Sequence, residues 1–119
     1  MKILKFLINN PKYSDLEILC NDEKKLYARR AILAARSEVF DYSDRLLYNE
    51  MKESYDNQIS LPTINSAGMQ IVLDYIYTGS VKEESLTKDN TIEAFYAADY
   101  FQLSDLHNFI SKQIRDQKK

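Results

Sequence analysis

The fold is decided by residues 26–40, which read LYARRAILAARSEVF. Residues 25–28 predict a strand, and the apolar residues that follow at helical spacing predict two helical segments, roughly 29–36 and 38–51. Ser37 lies between the two segments and is suited to cap the second one. A strand that passes directly into a pair of helices indicates that helices pack on a small sheet.

The segment before this stretch predicts a hairpin. Apolar residues alternate along 14–20, and the polar residues 21–24 form a turn that leads back into the strand at 25–28. A short helix is also predicted over 2–9, because its apolar residues recur on one face, and Pro11 follows its end. The alternating residues of the first strand are Leu16, Ile18 and Cys20.

The segment after it predicts one more strand, over 58–61, and then a helix that starts at Asn65 or Ser66. Gly68 lies in the first turn of that helix. Gly79 lies where a helix end favours a left-handed residue. The predicted core face of this helix consists of Met69, Val72, Leu73 and Ile76.

Two further helices are predicted near the C-terminus. Residues 90–93 resemble a capping box, in which the first and last side chains bond to each other's main chain. Ser104 is expected to cap the last helix. The residues expected to face inward are Ala94, Ala97, Ala98, Phe101, Leu106, Phe109, Ile110 and Ile114.

These elements predict an α+β fold. A small three-stranded mixed sheet is expected, flanked by about five to six α-helices. The 119 residues correspond to one domain, 1–119, with the short helix 2–9 in front of a core at 14–115.

Composition excludes several classes of function. A net charge of −2 gives no general attraction for nucleic acid, and no stretch is long and apolar enough to span a membrane. One cysteine excludes an internal disulfide, and a single cysteine with a single histidine leaves almost no means of building a closed zinc site. We therefore expect a soluble protein of the cytoplasm or nucleus, with no cofactor, metal or small-molecule substrate.

The sequence also gives little support for a catalytic role. Cys20 is expected to be a small buried residue of the strand, and His107 to lie on a solvated helix face. No phosphate-binding loop or dinucleotide fingerprint can be built around Gly68 and Gly79. The sequence therefore predicts that the chain is not an enzyme.

Four collinear motifs resemble the BTB/POZ domain family. Residues 26–40 match its central signature, and Ser14-Asp15-Leu16 matches the opening of its first core strand. Residues 75–79 (YIYTG) and 97–103 (AADYFQL) match two of its helix ends. The resemblance covers roughly residues 2–115, with Arg29 in place of the family's usual histidine and an apparent insertion at 42–44 (YSD).

The resemblance implies a module for protein–protein interaction. BTB/POZ domains form homodimers, and many act as adaptors that bind the scaffold of a cullin-type ubiquitin ligase while another region binds the substrate. A pure oligomerisation domain with no ligase role is the alternative. Because the sequence ends at Lys119, both a fragment of a longer adaptor and a standalone domain stay open.

Three groups of residues are the candidate sites. The N-terminal apolar residues exceed what one helix face can bury, so they are expected at a dimer interface, as in family dimers. The resemblance implies a charged pocket in which Asp15 pairs with a basic residue, and Asp15 is expected to be at least partly buried; an ordinary charged face is the alternative. The resemblance also implies an apolar-x-Glu contact for a cullin, for which an ordinary helix end is the alternative. The three groups are Ile3, Leu4, Phe6, Leu7 and Ile8; Asp15, Arg29 and Arg30; and Met51, Lys52 and Glu53.

Overall fold

The computed structural model describes residues 8–37 and 58–117. Four α-helices and three strands lie in these ranges, with a 3-10 turn at Pro11–Tyr13 and another at Glu83–Ser85. The predicted five to six helices therefore exceed the four found in the described residues, and the predicted helices 2–9 and 38–51 lie almost entirely outside those residues. The elements are β1 (Leu16–Leu19), β2 (Lys25–Ala28), α1 (Arg30–Arg36), β3 (Gln58–Ser60), α2 (Ser66–Thr78), α3 (Thr91–Tyr100) and α4 (Ser104–Gln117).

The sheet is mixed, as predicted, and its strand order is β2-β1-β3. β1 pairs with β2 in antiparallel register, with Ile18 opposite Leu26, and with β3 in parallel register, with Ile18 opposite Ile59. Ile18 is fully buried at the centre of the sheet. The alternating strand residues are therefore on the buried face of the sheet, and the antiparallel pairing of β1 with β2 confirms the predicted hairpin.

α2 packs on β2 of the sheet and on α3, and both helices use the faces that the sequence predicts. The four predicted core residues of α2 are fully buried, and so are Ala94, Ala97 and Ala98 of α3. Gly68 lies where α2 meets α3: a Cβ at this position would lie only 2.4 Å from the carbonyl oxygen of Glu93. The absence of a side chain thus lets the two helix backbones approach closely.

The C-terminus of α2 ends as predicted. Gly79 takes the left-handed conformation, with φ of 82°, and its N–H donates to the carbonyl of Tyr75 at 2.7 Å. A glycine adopts this conformation without steric cost, which explains why α2 stops here.

The predicted capping box at 90–93 is wrong, because the reciprocal bonds form one turn earlier. The N–H of Thr87 donates to Asn90 Oδ1 at 2.8 Å, and the N–H of Asn90 donates to Thr87 Oγ1 at 3.3 Å. The Asn90 side chain also donates to the carbonyl of Ser85. Asn90 is therefore used by the loop, and α3 begins from a turn organised by Thr87.

The start of α4 also differs from the expected position by one residue. Ser104 is the first residue of the helix, and the N–H of His107 donates to the carbonyl of Leu103 at 2.8 Å. Leu103 therefore occupies the cap position that was predicted for Ser104.

The turn of the hairpin is tied to the start of α2. Ser66 Oγ donates to Asp22 Oδ2 at 2.6 Å, and the N–H of Asn21 donates to the carbonyl of Ile64 at 2.9 Å. The hydrogen bond from Ser66 is the main cause that lowers the pKa of Asp22 below its ordinary value. A carboxylate at this position also lies near the positive end of the α2 dipole.

We expect the Asp22→Asn variant to be less stable than the wild type at neutral pH. Because folding lowers the pKa of Asp22, the charged carboxylate stabilises the fold above the unfolded pKa of about 3.9, and this stabilisation is lost as pH falls through the folded pKa. Urea unfolding at several pH values measures the difference, with Glu23→Gln as the control in the same turn. A stability difference between Asp22→Asn and wild type that stays constant down to acid pH would contradict this role.

Candidate interaction surfaces

The junction between β2 and α1 brings together Asp15, Arg29 and Arg30. Asp15 Oδ1 accepts a hydrogen bond from the main-chain N–H of Arg30 at 2.8 Å, and the N–H of Asp15 donates to the carbonyl of Ala28 at 3.1 Å. The guanidinium of Arg29 donates to the carbonyl of Tyr13 at 3.1 Å. Asp15 thus satisfies one of the free N–H groups at the start of α1.

Asp15 is exposed, so the prediction that it is at least partly buried is wrong. The carboxylate contacts the first N–H of α1 from the surface, and a surface position leaves it hydrated. The charged partner in this bond is the helix terminus, which favours a negative group, and not an arginine side chain. The use of this cluster as a pocket for a partner stays a prediction.

Tyr77 also stabilises the junction between β2 and α1, a role that was not predicted from the sequence. Its side chain is 1% exposed, and its hydroxyl accepts the N–H of Arg29 at 2.9 Å. Burial is the main cause that raises the pKa of Tyr77 above its ordinary value. The sequence signal was a tyrosine on the apolar face of α2, since a buried tyrosine hydroxyl needs a hydrogen-bond partner.

The N-terminal segment enters the described fold at Ile8, which is partly buried against the domain's own core. Asn9 follows with φ of 49°, and its Oδ1 accepts the N–H of Tyr27 at 2.9 Å. This bond occupies a main-chain donor of β2, which is an edge strand. The other predicted interface residues, Ile3, Leu4, Phe6 and Leu7, lie outside the described residues.

The candidate cullin contact at Met51, Lys52 and Glu53 also lies outside the described residues, as does the insertion 42–44. Along the chain, the described elements on either side of this region are α1 and β3, and α1 carries small side chains on its surface. Ala31 and Ala35 are exposed, and Ile32 is partly buried against the core.

Cys20 and His107 are the cysteine and the histidine of the sequence, and both lie in the described part of the chain. Burial is the main cause that raises the pKa of the Cys20 thiol to about 11, so it stays protonated near neutral pH. His107, expected on a solvated face, has its ring against Phe95, with centroids 4.4 Å apart, and its side chain is 32% exposed. Among the described residues, no three histidine, cysteine or acidic side chains are grouped to hold a metal.

None of the described helices is both long enough and apolar enough to cross a membrane.

Comparisons with known proteins agree with the motifs and the fold. The chain is 37% identical over 109 residues to BTB/POZ domain-containing protein 9 of Drosophila melanogaster, and the match covers 92% of this chain and 14% of that protein. It is 30% identical over 100 residues to human Kelch-like protein 24, covering 84% of this chain and 16% of that protein. The chain therefore spans less than a fifth of the length of either relative.

A solved structure shares the same architecture. The BTB domain of human Gigaxonin superposes with a TM-score of 0.65 at 25% identity, covering 93% of this chain and 86% of that one. The family model of the BTB/POZ domain matches residues 4–118, so the chain belongs to the BTB/POZ domain family.

Proposed function

We propose that this chain is a homodimerising interaction module that recruits the scaffold of a cullin-type ubiquitin ligase. The observation that carries the proposal is membership of the BTB/POZ family over residues 4–118, because a BTB/POZ domain is a module for protein–protein interaction. The finer assignment combines this membership with two sequence features, the apolar N-terminal segment and the Met51-x-Glu53 motif.

Dimerisation is supported by the number of apolar residues in the N-terminal segment, which exceeds what one face of a short helix can bury. A helix over 2–9 would be only about 12 Å long, and a helix of this length needs a surface on which to dock. Ile8 contacts the domain's own core, and the four apolar residues before it in the sequence, Ile3, Leu4, Phe6 and Leu7, would contact a second copy. In a two-fold dimer, each of these side chains contributes twice.

The face of α1 offers a suitable surface for this second copy. Ala31 and Ala35 are exposed and lie four residues apart, so they share one side of the helix. Small side chains allow another helix to approach closely. The resemblance implies that the N-terminal segment of one protomer packs across a two-fold axis onto its counterpart, and α1 would offer a further surface beside that contact.

The cullin part of the proposal is supported by the position of the apolar-x-Glu motif. Met51 is the last residue of the predicted helix 38–51 and Glu53 lies just beyond it, at the helix-to-loop junction where the corresponding motif of cullin-binding BTB domains lies. Similarity to Kelch-like protein 24 points in the same direction. In this arrangement Met51 fills an apolar pocket of the scaffold and Glu53 orders the loop.

The competing function is oligomerisation without a ligase, which would need the dimer but not the motif. Binding of a cullin N-terminal domain separates the two. We also propose that the chain acts in the cytoplasm or nucleus, because it would meet a cullin scaffold there. Asp15, Arg29 and Arg30 would offer charged groups beside the dimer interface.

We expect light scattering to show a concentration-dependent dimer for the wild type and a monomer for Leu4→Glu/Leu7→Glu. Charged side chains at these positions would have to be buried without partners at the interface, which costs several kcal/mol for each. The helix is short, so a reversible dimer is expected.

A surface double variant, Lys112→Glu/Arg115→Glu, provides the control, since it also introduces two acidic residues but lies on α4. A wild type that stays monomeric at high micromolar concentration would contradict the dimer. Equal dimerisation by Leu4→Glu/Leu7→Glu would show that the N-terminal segment serves only its own domain.

A further inference from the structure

α3 carries large apolar side chains on its outer surface. Ile92, Tyr96 and Tyr100 are 47%, 59% and 49% exposed, and they follow one another at intervals of four residues. Residues four apart lie on one face of a helix, so the three form a continuous stripe, which we call the α3 stripe. The opposite face of the same helix is fully buried through its alanines.

Two neighbouring aromatic rings hold the tyrosines of the stripe in place. Tyr96 meets the ring of Phe95 edge to face, with centroids 6.0 Å apart, and Tyr100 meets that of Phe101 in the same way at 4.8 Å. Phe101 is buried in the core, and Phe95 is partly buried against it. Each contact favours the observed position of a tyrosine ring, which lowers the entropy lost when a partner binds.

Acidic groups surround the α3 stripe. Asp99 lies between the two tyrosines on the helix and its side chain is 72% exposed, and Glu93 precedes Tyr96 by three residues. Asp89 lies in the turn before α3, beside the exposed Lys88. His107 Nε2 lies 3.8 Å from Asp99 Oδ1. The three carboxylates outweigh the nearby basic groups, so the stripe presents aromatic rings within a negative field.

We propose that the α3 stripe binds a helical segment of a partner protein that carries arginines one turn apart. A guanidinium stacks on the face of a tyrosine and at the same time donates to a neighbouring carboxylate, so this pairing of rings and acids suits arginine. Tyr96 and Tyr100 are separated by about 6 Å along the helix axis, which is also the spacing of two arginines at i and i+4 on a partner helix. Ile92 extends the contact with an apolar patch.

The charge of the α3 stripe argues against two other occupants. A second copy of this chain would bring the same carboxylates against each other, which like-charge repulsion disfavours. An uncharged apolar partner would bury the acidic groups without counter-charges, which costs free energy. The stripe is therefore separate in character from the apolar N-terminal segment proposed for the dimer.

The test uses fluorescence anisotropy with a labelled alanine-based helical peptide that carries two arginines four residues apart and one leucine. We expect saturable binding to the wild type, weakened at least tenfold by Tyr96→Ala or Tyr100→Ala and also by Asp99→Asn. Tyr13→Ala is the matched control, because Tyr13 is an exposed tyrosine of another element. Circular dichroism verifies that each variant is folded.

Peptides with lysine or glutamate in place of both arginines complete the experiment. We expect weaker binding by the lysine peptide and none by the glutamate peptide. Equal binding of the arginine and lysine peptides, or equal affinity of wild type and Tyr96→Ala, would overturn the proposal. If Tyr96→Ala also weakened binding of a cullin N-terminal domain, the stripe would be part of that contact, and a separate partner site would be refuted.

Discussion

Replacing Gly68 with alanine is expected to lower the free energy of unfolding by about 3 kcal/mol, the upper end of what one added methyl group usually costs in a packed core. The new Cβ would lie 2.4 Å from the carbonyl oxygen of Glu93 and 2.6 Å from its carbonyl carbon. Both atoms belong to the backbone of α3, so relief requires the two helices to separate. At an unconstrained helix position the same substitution would stabilise by about 1 kcal/mol, so the sign of the effect is diagnostic.

Gly79 provides the control for this prediction. Its φ of 82° disfavours any L side chain, but the nearest atom to an added Cβ is Arg36 Nη1 at 3.9 Å. Gly79→Ala should therefore cost only about 1–2 kcal/mol, from backbone conformation alone. Gly79→Asn should recover part of this loss, because asparagine tolerates the left-handed conformation. Chemical denaturation measures all three variants, and a Gly68→Ala protein as stable as the wild type would contradict the close approach of α2 and α3.

Met51→Ala and Glu53→Ala should each weaken binding to a cullin N-terminal domain by about tenfold or more. An apolar side chain that fills a pocket at the centre of an interface typically contributes about 2 kcal/mol, which corresponds to roughly a thirtyfold change in Kd. Loss of Glu53 leaves the loop to be ordered on binding, at an entropic cost. Titration calorimetry with purified cullin domain measures each affinity.

Lys24→Ala is the control, because Lys24 is an exposed residue of the turn between β1 and β2 and is not part of the motif, so its removal should change the affinity little. Thermal unfolding should show the same stability for all three variants and the wild type. If Met51→Ala and Glu53→Ala both bind as tightly as the wild type, the motif takes no part in the contact. A wild type with no measurable binding would favour the oligomerisation module.

The sequence predicted the elements whose pattern repeats along the chain. Alternation identified Leu16 and Ile18 of β1, and Cys20 directly after it, as buried residues, and helical spacing identified the core faces of α2 and α3. These predictions succeed because burial of apolar side chains largely determines which face of an element points inward. The family resemblance then supplied the arrangement of the elements, which periodicity alone cannot give.

The features that the sequence missed depend on contacts between distant residues. Thr87 and Asn90 could be paired in more than one way with their neighbours, and only the loop around Ser85 selects the observed one. The burial of Asp15 was inferred from its position at a strand start, opposite a basic helix start, whereas the main chain at the start of α1 provides a partner at the surface. The contact of His107 with Phe95 joins α3 to α4 and leaves no periodic signal.

Gly68 is a further example of a residue whose role depends on a contact with a distant part of the chain. The sequence placed it in the first turn of a helix, but its importance comes from Glu93 on another helix. Likewise, the motif at 75–79 placed Tyr77 near a helix end, but its hydroxyl serves Arg29, which is distant along the chain. The structural roles of Gly68 and Tyr77 therefore become clear only from the packed structure.

The central claim, a dimeric module that binds a cullin scaffold, is tested most directly by the mass of its complex. Size-exclusion chromatography with light scattering, on the chain mixed with a cullin N-terminal domain, should give the mass of two copies of each protein. Two separate peaks, with the chain eluting at the mass of its own monomer, would contradict the claim.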